Sequence, residues 1–173
     1  MKTSTFALIF GVAYLAAGLL GLIPAMLTPP PVDAPGTKFT LLYGYLFGLF
    51  PVNILQSVVN IAIGAWGIAA GSGRASSTRF ARSLAVFFGA LAILGMLPMT
   101  NTLFGAVPLH SNDVWLHAVS AVIAAYFGWR QPAGAGERRR LSNDRRYQMA
   151  PVVRERRLGL SDRREHWSGM TPA

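Results

Sequence analysis

Long stretches without a charged side chain are the feature that most limits how this chain can fold. The run from Thr3 to Val32 and the run from Phe39 to Gly73 contain no Asp, Glu, Lys or Arg. A helix of about 20 apolar residues crosses the ~30 Å hydrocarbon core of a bilayer. Only 13% of the chain is charged, against roughly 25% in an average soluble domain. The sequence therefore predicts an integral membrane protein.

Four segments are predicted to cross the membrane, which gives an all-α bundle of four transmembrane helices over residues 1–130. The predicted spans are residues 5–27, 43–70, 81–99 and 113–129. The fourth span is short, so a re-entrant or interfacial helix is the alternative for that segment. A cleaved signal peptide is the alternative for the first span. Proline and glycine mark the connections, because proline interrupts helices and glycine favours turns.

The charges between the spans predict the orientation of the bundle. One side carries Lys2, the three arginines between spans two and three, and all eleven arginines from Arg130 onward. The other side carries Lys38 against Asp33 and Asp113. Since positively charged loops stay inside, both termini are predicted to be cytoplasmic. An even number of spans agrees with that orientation.

A polar stripe follows the second predicted span. Asn53, Gln56, Ser57 and Asn60 are offset by 0, 3, 4 and 7 residues, so they share one face of a helix. Amide groups at membrane depth are costly unless they find partners, so this face is expected to point into the bundle. Interhelical hydrogen bonding is the first interpretation, and a polar pocket for a small ligand, lipid headgroup or ion is the alternative. Pro51 is expected to kink the helix beside the stripe.

The start of the fourth span carries a second group of polar residues. Asp113 is predicted to be the helix N-cap. His117 lies four residues later on the same face, whereas His110 precedes the cap. His117 is interpreted as a satisfied interfacial histidine, or alternatively as a partner of the span-two stripe. The candidate buried polar cluster therefore consists of the four stripe residues and His117.

Small residues predict how the helices pack. Membrane helices approach closely where Gly, Ala or Ser line their faces. Such residues recur at helical spacing in spans one and four, and a GxxxG pattern opens span two; they are Gly11, Gly18, Gly21, Ala25, Gly44, Gly48, Ser120, Ala124 and Gly128. Packing within one chain is the first interpretation, and a dimer face is the alternative.

Three motifs in order carry a resemblance to a known family. They run from Gly18 to Pro24, from Leu49 to Leu55 and from Leu103 to His117. Residues 5–130 resemble the uncharacterised bacterial four-span membrane proteins of domain-of-unknown-function family 4383. The resemblance implies a location in the bacterial inner (cytoplasmic) membrane and no established activity. His117 corresponds to the histidine that the family carries in its fourth span. At two positions of the second span where the family typically has histidine, this chain has Gln56 and Asn60.

Residues 131–173 form an Arg-rich, weakly structured cytoplasmic tail by prediction. Juxtamembrane cations are attracted to anionic lipid by about 1 kcal/mol each. Contact with anionic headgroups or with the acidic surface of a partner is predicted for Arg138, Arg139, Arg140, Arg145, Arg146, Arg156, Arg157, Arg163 and Arg164. A tail without a specific partner is the alternative. Nucleic acid is disfavoured, because few aromatic residues are interleaved with the arginines.

The leading functional prediction is a structural or accessory membrane protein, such as a small subunit of a larger inner-membrane assembly. The alternative is a small-molecule or lipid-binding membrane protein that uses the polar stripe. The chain has no cysteine and only three histidines, and none of the common catalytic motifs is present. The sequence therefore predicts no enzyme, no cofactor and no metal site, and it leaves the oligomeric state open.

Overall fold

A computed structural model describes residues 1–130 of the chain. These residues form four α-helices: α1 (Thr3–Leu20), α2 (Ile54–Gly71), α3 (Ser77–Met96) and α4 (Asn112–Trp129). The first three are long and apolar enough to cross a membrane. The predictions for residues 131–173, including every arginine assigned to lipid or partner contact, lie outside the described residues.

A small antiparallel sheet lies between α1 and α2. Its strands are β1 (Leu27–Thr28), β2 (Gly44–Leu46) and β3 (Phe50–Val52), in the spatial order β1-β2-β3. Two short 3₁₀ turns, Pro24–Met26 and Leu103–Gly105, lie in the connections that precede β1 and α4. The sheet and these connections cover the same end of the helices.

The predicted first span, residues 5–27, is too long. The helix ends at Leu20, and Ile23 is already extended with φ −99° and ψ 108°. The cause is Pro24, because a proline disfavours helical backbone at the residue before it. The chain then makes the 3₁₀ turn and enters β1 instead of continuing as a helix.

The start of the predicted second span is also wrong. Residues 43–53 are not helical, so Gly44 and Gly48 lie in β2 and the following turn and form no helical GxxxG face. Pro51 does not kink a helix; it pairs with Tyr45 in the edge strand β3. Edge strands accept proline because its missing N–H faces away from the sheet. Helix α2 begins only after Asn53.

The third and fourth helices lie close to their predicted ranges. Ser76 caps α3, and its Oγ accepts a hydrogen bond of 3.3 Å from the Arg79 N–H. The helix ends before the extended residue Leu97, which precedes Pro98. In α4 the N-cap position belongs to Ser111 rather than to the predicted Asp113, which lies inside the first turn.

The small residues pack the helices of this chain against one another. A Cβ added to Gly11 would lie 2.5 Å from the backbone nitrogen of Ile68, and one added to Gly67 would lie 2.6 Å from the Cα of Gly11. The backbones of helices α1 and α2 are therefore in direct contact. Helix α3 packs mainly on α4, where the Arg82 Nε donates to the Gly128 carbonyl at 2.9 Å. The bundle thus consists of two helical hairpins, α1–α2 and α3–α4.

Candidate functional site

The polar side chains singled out in the sequence gather where α2 and α4 begin. Asn53 is fully buried and caps α2, because its Oδ1 accepts a 3.0 Å hydrogen bond from the Gln56 N–H. Its Nδ2 donates to the carbonyls of Ala106, at 2.7 Å, and Phe39, at 3.3 Å. Asn53 thus connects the start of α2 by hydrogen bonds to the segment before α2 and to the segment before α4.

Gln56 and Asp113 join α2 to α4. The Gln56 Nε2 donates to the Asp113 Oδ2 at 3.0 Å. The same carboxylate oxygen lies 3.5 Å from the Nδ1 of His117, one turn further along α4. All three residues are buried, with 6%, 1% and 4% of their surface exposed. Asp113 was predicted to cap its own helix, but its carboxylate bonds to a residue 57 positions earlier in the chain.

Aromatic stacking extends this cluster through the bundle. The ring of His117 stacks on Phe88 of α3 with centroids 5.1 Å apart. Phe88 in turn stacks on Tyr14 of α1 at 4.9 Å. The Tyr14 hydroxyl and the Ser120 Oγ share a buried hydrogen bond of 2.9 Å. Sequence reasoning missed these roles of Tyr14, Phe88 and Ser120, because no local spacing relates α1 to α4.

The other stripe residues take different positions. Ser57 is buried against α1, where a Cβ added to Gly21 would collide with its Oγ. Asn60 is half-buried and stands on the wall of a cavity together with Gln56 and His117. Of the five predicted cluster residues, the structure therefore brings Gln56, Asn60 and His117 to one cavity. Asn53 serves as a cap, and Ser57 faces the neighbouring helix.

The cavity has a volume of about 190 Å³. An engineered cavity of about 150 Å³ is large enough to hold benzene, so this one has room for a ring-sized group. Its remaining walls are apolar and come from α2, α3 and the connection before α4: Val59, Phe87, Phe88, Leu91, Leu103, Val107 and Leu109. Within residues 1–130, the Oε1 of Gln56 and the Nδ1 of His117 are buried without a hydrogen bond.

Strained backbone forms part of the cavity wall. Leu103 and Phe104 have φ values of 46° and 59°, in the left-handed region that bulky residues rarely adopt. Two hydrogen bonds hold this segment in place. The Gly105 N–H donates to the Thr102 Oγ1 at 3.1 Å, and the Gly105 carbonyl accepts from the Lys38 N–H at 2.8 Å. Such strain persists where surrounding contacts fix it, as at ligand sites.

His110 stays apart from the cluster. Its ring lies 6.3 Å from that of Tyr45 in the sheet, and it is buried. Burial lowers the pKa of His110, because desolvation disfavours the charged ring. Within the part of the chain that the structure describes, no three His, Asp or Glu side chains come together as metal ligands.

Three helices are long and apolar enough to cross a membrane, and a buried polar cluster lies beside a cavity. These features define the class: a helical protein, consistent with a membrane protein, that has an internal polar site. The chain belongs to the family described as domain of unknown function (DUF4383), whose model matches residues 4–130. The match confirms the family resemblance seen in the sequence. No curated protein and no solved structure matches the chain.

Proposed function

We propose that this protein is a multi-pass membrane protein that binds a small uncharged molecule in the cavity beside Gln56, Asp113 and His117. The observation that carries the proposal is the pair of buried atoms, Gln56 Oε1 and His117 Nδ1, that have no hydrogen bond within residues 1–130. Buried polar atoms nearly always have a partner. Because Gln56 lines the cavity, the partner proposed for its Oε1 is a hydrogen-bond donor of a bound molecule.

The lining of the cavity favours an uncharged ligand. None of its lining residues is a Lys or Arg, and most are aliphatic or aromatic. An ion without a partner is strongly disfavoured in such surroundings. Shape and charge together select a neutral molecule with one polar group.

The cavity can be tested with p-cresol, a ring-sized hydroxyl compound. Equilibrium dialysis against the purified full chain in detergent, corrected for uptake by empty micelles, should show saturable binding. Val107→Phe should remove this binding, because the half-buried Val107 lines the cavity. Val12→Phe is the matched control, since Val12 is 53% exposed on α1. No saturable binding, or equal binding by both variants, would show that the cavity is not a site.

We further propose that α4 is a fourth span and that both termini face the cytoplasm of a bacterium, with the cavity near the outer side. The distribution of Lys and Arg between the spans supports this placement. Single cysteines at Ser76 and Ser142 should be protected from an impermeant thiol reagent in intact cells, whereas one at Thr37 should react. Labelling at Ser142 with protection at Thr37 would reverse the orientation.

A structural or accessory role in an inner-membrane assembly is the second candidate function. The observation that favours it is the concentration of eleven arginines from Arg130 onward, a charge suited to anionic lipid or to the acidic surface of a partner. Purification in a mild detergent should then yield a complex that is lost when residues 131–173 are deleted. Repeated recovery of the isolated chain alone would count against this role.

A further inference from the structure

A groove on the surface of the bundle lies next to the cavity. It has a volume of about 450 Å³ and runs between α2 and α3. Val59 and Phe87 line both the groove and the cavity, so the two share a wall. The groove continues along the two helices past Ala62, Ile63, Trp66, Ser83 and Leu84.

The shape and polarity of the groove suit an apolar chain. Val59, Trp66 and Phe87 are 39%, 40% and 41% exposed, so in the proposed placement they face the lipid. Val59 and Trp66 are seven residues apart on α2, which is a rise of about 10 Å. The groove therefore offers an elongated apolar path beside the polar cavity, with Val59 and Phe87 between the two.

We propose that the ligand is a single-chain amphiphile whose ring-sized, uncharged, hydroxyl-bearing head occupies the cavity and whose chain lies in the groove between α2 and α3. This inference rests on the proposed function and specifies the ligand. The head carries a hydrogen-bond donor, for which we choose a hydroxyl, because the unpartnered Gln56 Oε1 accepts but cannot donate a hydrogen bond. Its apolar chain would pass between the side chains of Val59 and Phe87, which separate the cavity from the groove and would have to move apart.

The lining distinguishes this ligand from other single-chain lipids. A phosphate head would find no Lys or Arg among the residues that line the cavity. The carboxylate of a fatty acid would likewise find no cationic Lys or Arg side chain among those residues. An acyl chain of the bilayer could fill the groove but would leave the Gln56 acceptor unpaired.

The proposal can be tested by fluorescence quenching of Trp66, which lines the groove. The full chain with Trp115, Trp129 and Trp167 replaced by Phe is placed in nanodiscs of phosphatidylethanolamine and phosphatidylglycerol. The probe is 4-(8-bromooctyl)phenol, because bromine quenches a nearby indole. Quenching of Trp66 fluorescence by this bromooctyl phenol should be saturable. The probe without a hydroxyl, 8-bromooctylbenzene, and the charged 4-(8-bromooctyl)benzoate should give only the linear quenching of bilayer partition.

Two matched substitutions test the groove itself. Ala62 lines the groove, whereas Ala65 is exposed on the same helix outside it. Ala62→Phe should weaken saturable quenching by about tenfold or more, the factor that a loss of about 1.4 kcal/mol produces. Ala65→Phe should leave it unchanged. Binding of p-cresol should persist in both variants, since neither residue lines the cavity.

The outcomes separate this inference from the proposed function. If p-cresol binds but the bromooctyl phenol gives no saturable quenching, the assignment of the chain to the groove is wrong and the cavity remains a site. If the hydroxyl-free probe quenches as well as the phenol, the groove holds bilayer chains and the proposed head is wrong. If p-cresol does not bind either, the proposed function fails together with this inference.

Discussion

The two ends of the bundle are held together by different physical means. At one end Phe6 and Phe80 are fully buried, and the ring of Phe6 stacks on Phe127 at 4.7 Å. At the other end buried hydrogen bonds of Asn53 and Gln56 connect α2 to the loops and to α4. Aromatic packing stabilises through close contacts that leave no void, whereas hydrogen bonds fix the positions of groups without filling the space around them. The polar end can therefore contain a cavity and remain well defined.

The largest loss of stability is expected for Asn53→Leu at the polar end. The substitution removes the cap of α2 and leaves the carbonyls of Phe39 and Ala106 without the Asn53 donor. The free energy of unfolding should fall by about 3 kcal/mol, which combines a lost cap with stranded buried groups. Thermal unfolding in detergent measures this change in stability. Asn60→Leu, at a half-buried position, is the control, and an equal effect of both variants would contradict the role of Asn53.

At the apolar end, Phe6→Ala should lower the free energy of unfolding by about 2 kcal/mol, which is less than for Asn53→Leu and below the roughly 3–5 kcal/mol typical of a water-soluble core. In the proposed membrane placement, lipid solvates an apolar side chain as well as the core does, so only packing contacts are lost. The same unfolding assay should show little change for Leu8→Ala, since Leu8 is 42% exposed on the same helix. A larger effect at Phe6 than at Asn53 would reverse the comparison between the two ends.

His110 should make the polar end sensitive to acid. Burial lowers the pKa of His110 in the folded protein, so the unfolded chain binds a proton more readily. The contribution of His110 is therefore complete above its unfolded pKa of about 6.5 and is lost as the pH falls below it. The melting temperature of the parent should drop between about pH 7 and pH 5 more than that of His110→Gln. Identical pH profiles would exclude this contribution.

The smallest effect is expected for Ser57→Ala. The Ser57 Oγ is buried and has no hydrogen bond within residues 1–130. Removing a polar atom without a partner is neutral or slightly stabilising, by less than about 1 kcal/mol. Ser120→Ala is the matched comparison, because the Ser120 Oγ shares a hydrogen bond with Tyr14 and its removal should destabilise. A clear loss of stability for Ser57→Ala would reveal a partner of its hydroxyl.

Hydropathy located all four helices but placed the end of α1 too late and the start of α2 too early. Residues 43–53 are as apolar and uncharged as a span, yet they form β2, β3 and their turns. Hydropathy reports transfer into an apolar environment and does not distinguish a buried strand from a helix. A local signal was present: Asn53 followed three residues later by Gln56 has the spacing of an N-cap and its N3 residue.

The sequence predicted the separate polar helix faces of the candidate site but not that they come together. The helical spacing of Gln56 with Asn60 and of Asp113 with His117 gave each pair a shared face. The sequence could not show that the two faces meet, because the Gln56 to Asp113 hydrogen bond depends on how α2 packs against α4. The aromatic layer through Phe88 also depends on tertiary packing. The groove is a gap between helices and has no sequence signature.

The pairing of the helices into two hairpins has a consequence for assembly. Each hairpin carries its own close contacts, α1 on α2 and α3 on α4, so each can pack before the two hairpins associate. The cavity takes Gln56 from the first hairpin and Phe88 with His117 from the second. It therefore exists only after the halves associate. A molecule bound there would bridge both halves, so its binding free energy would add directly to their association and oppose their separation.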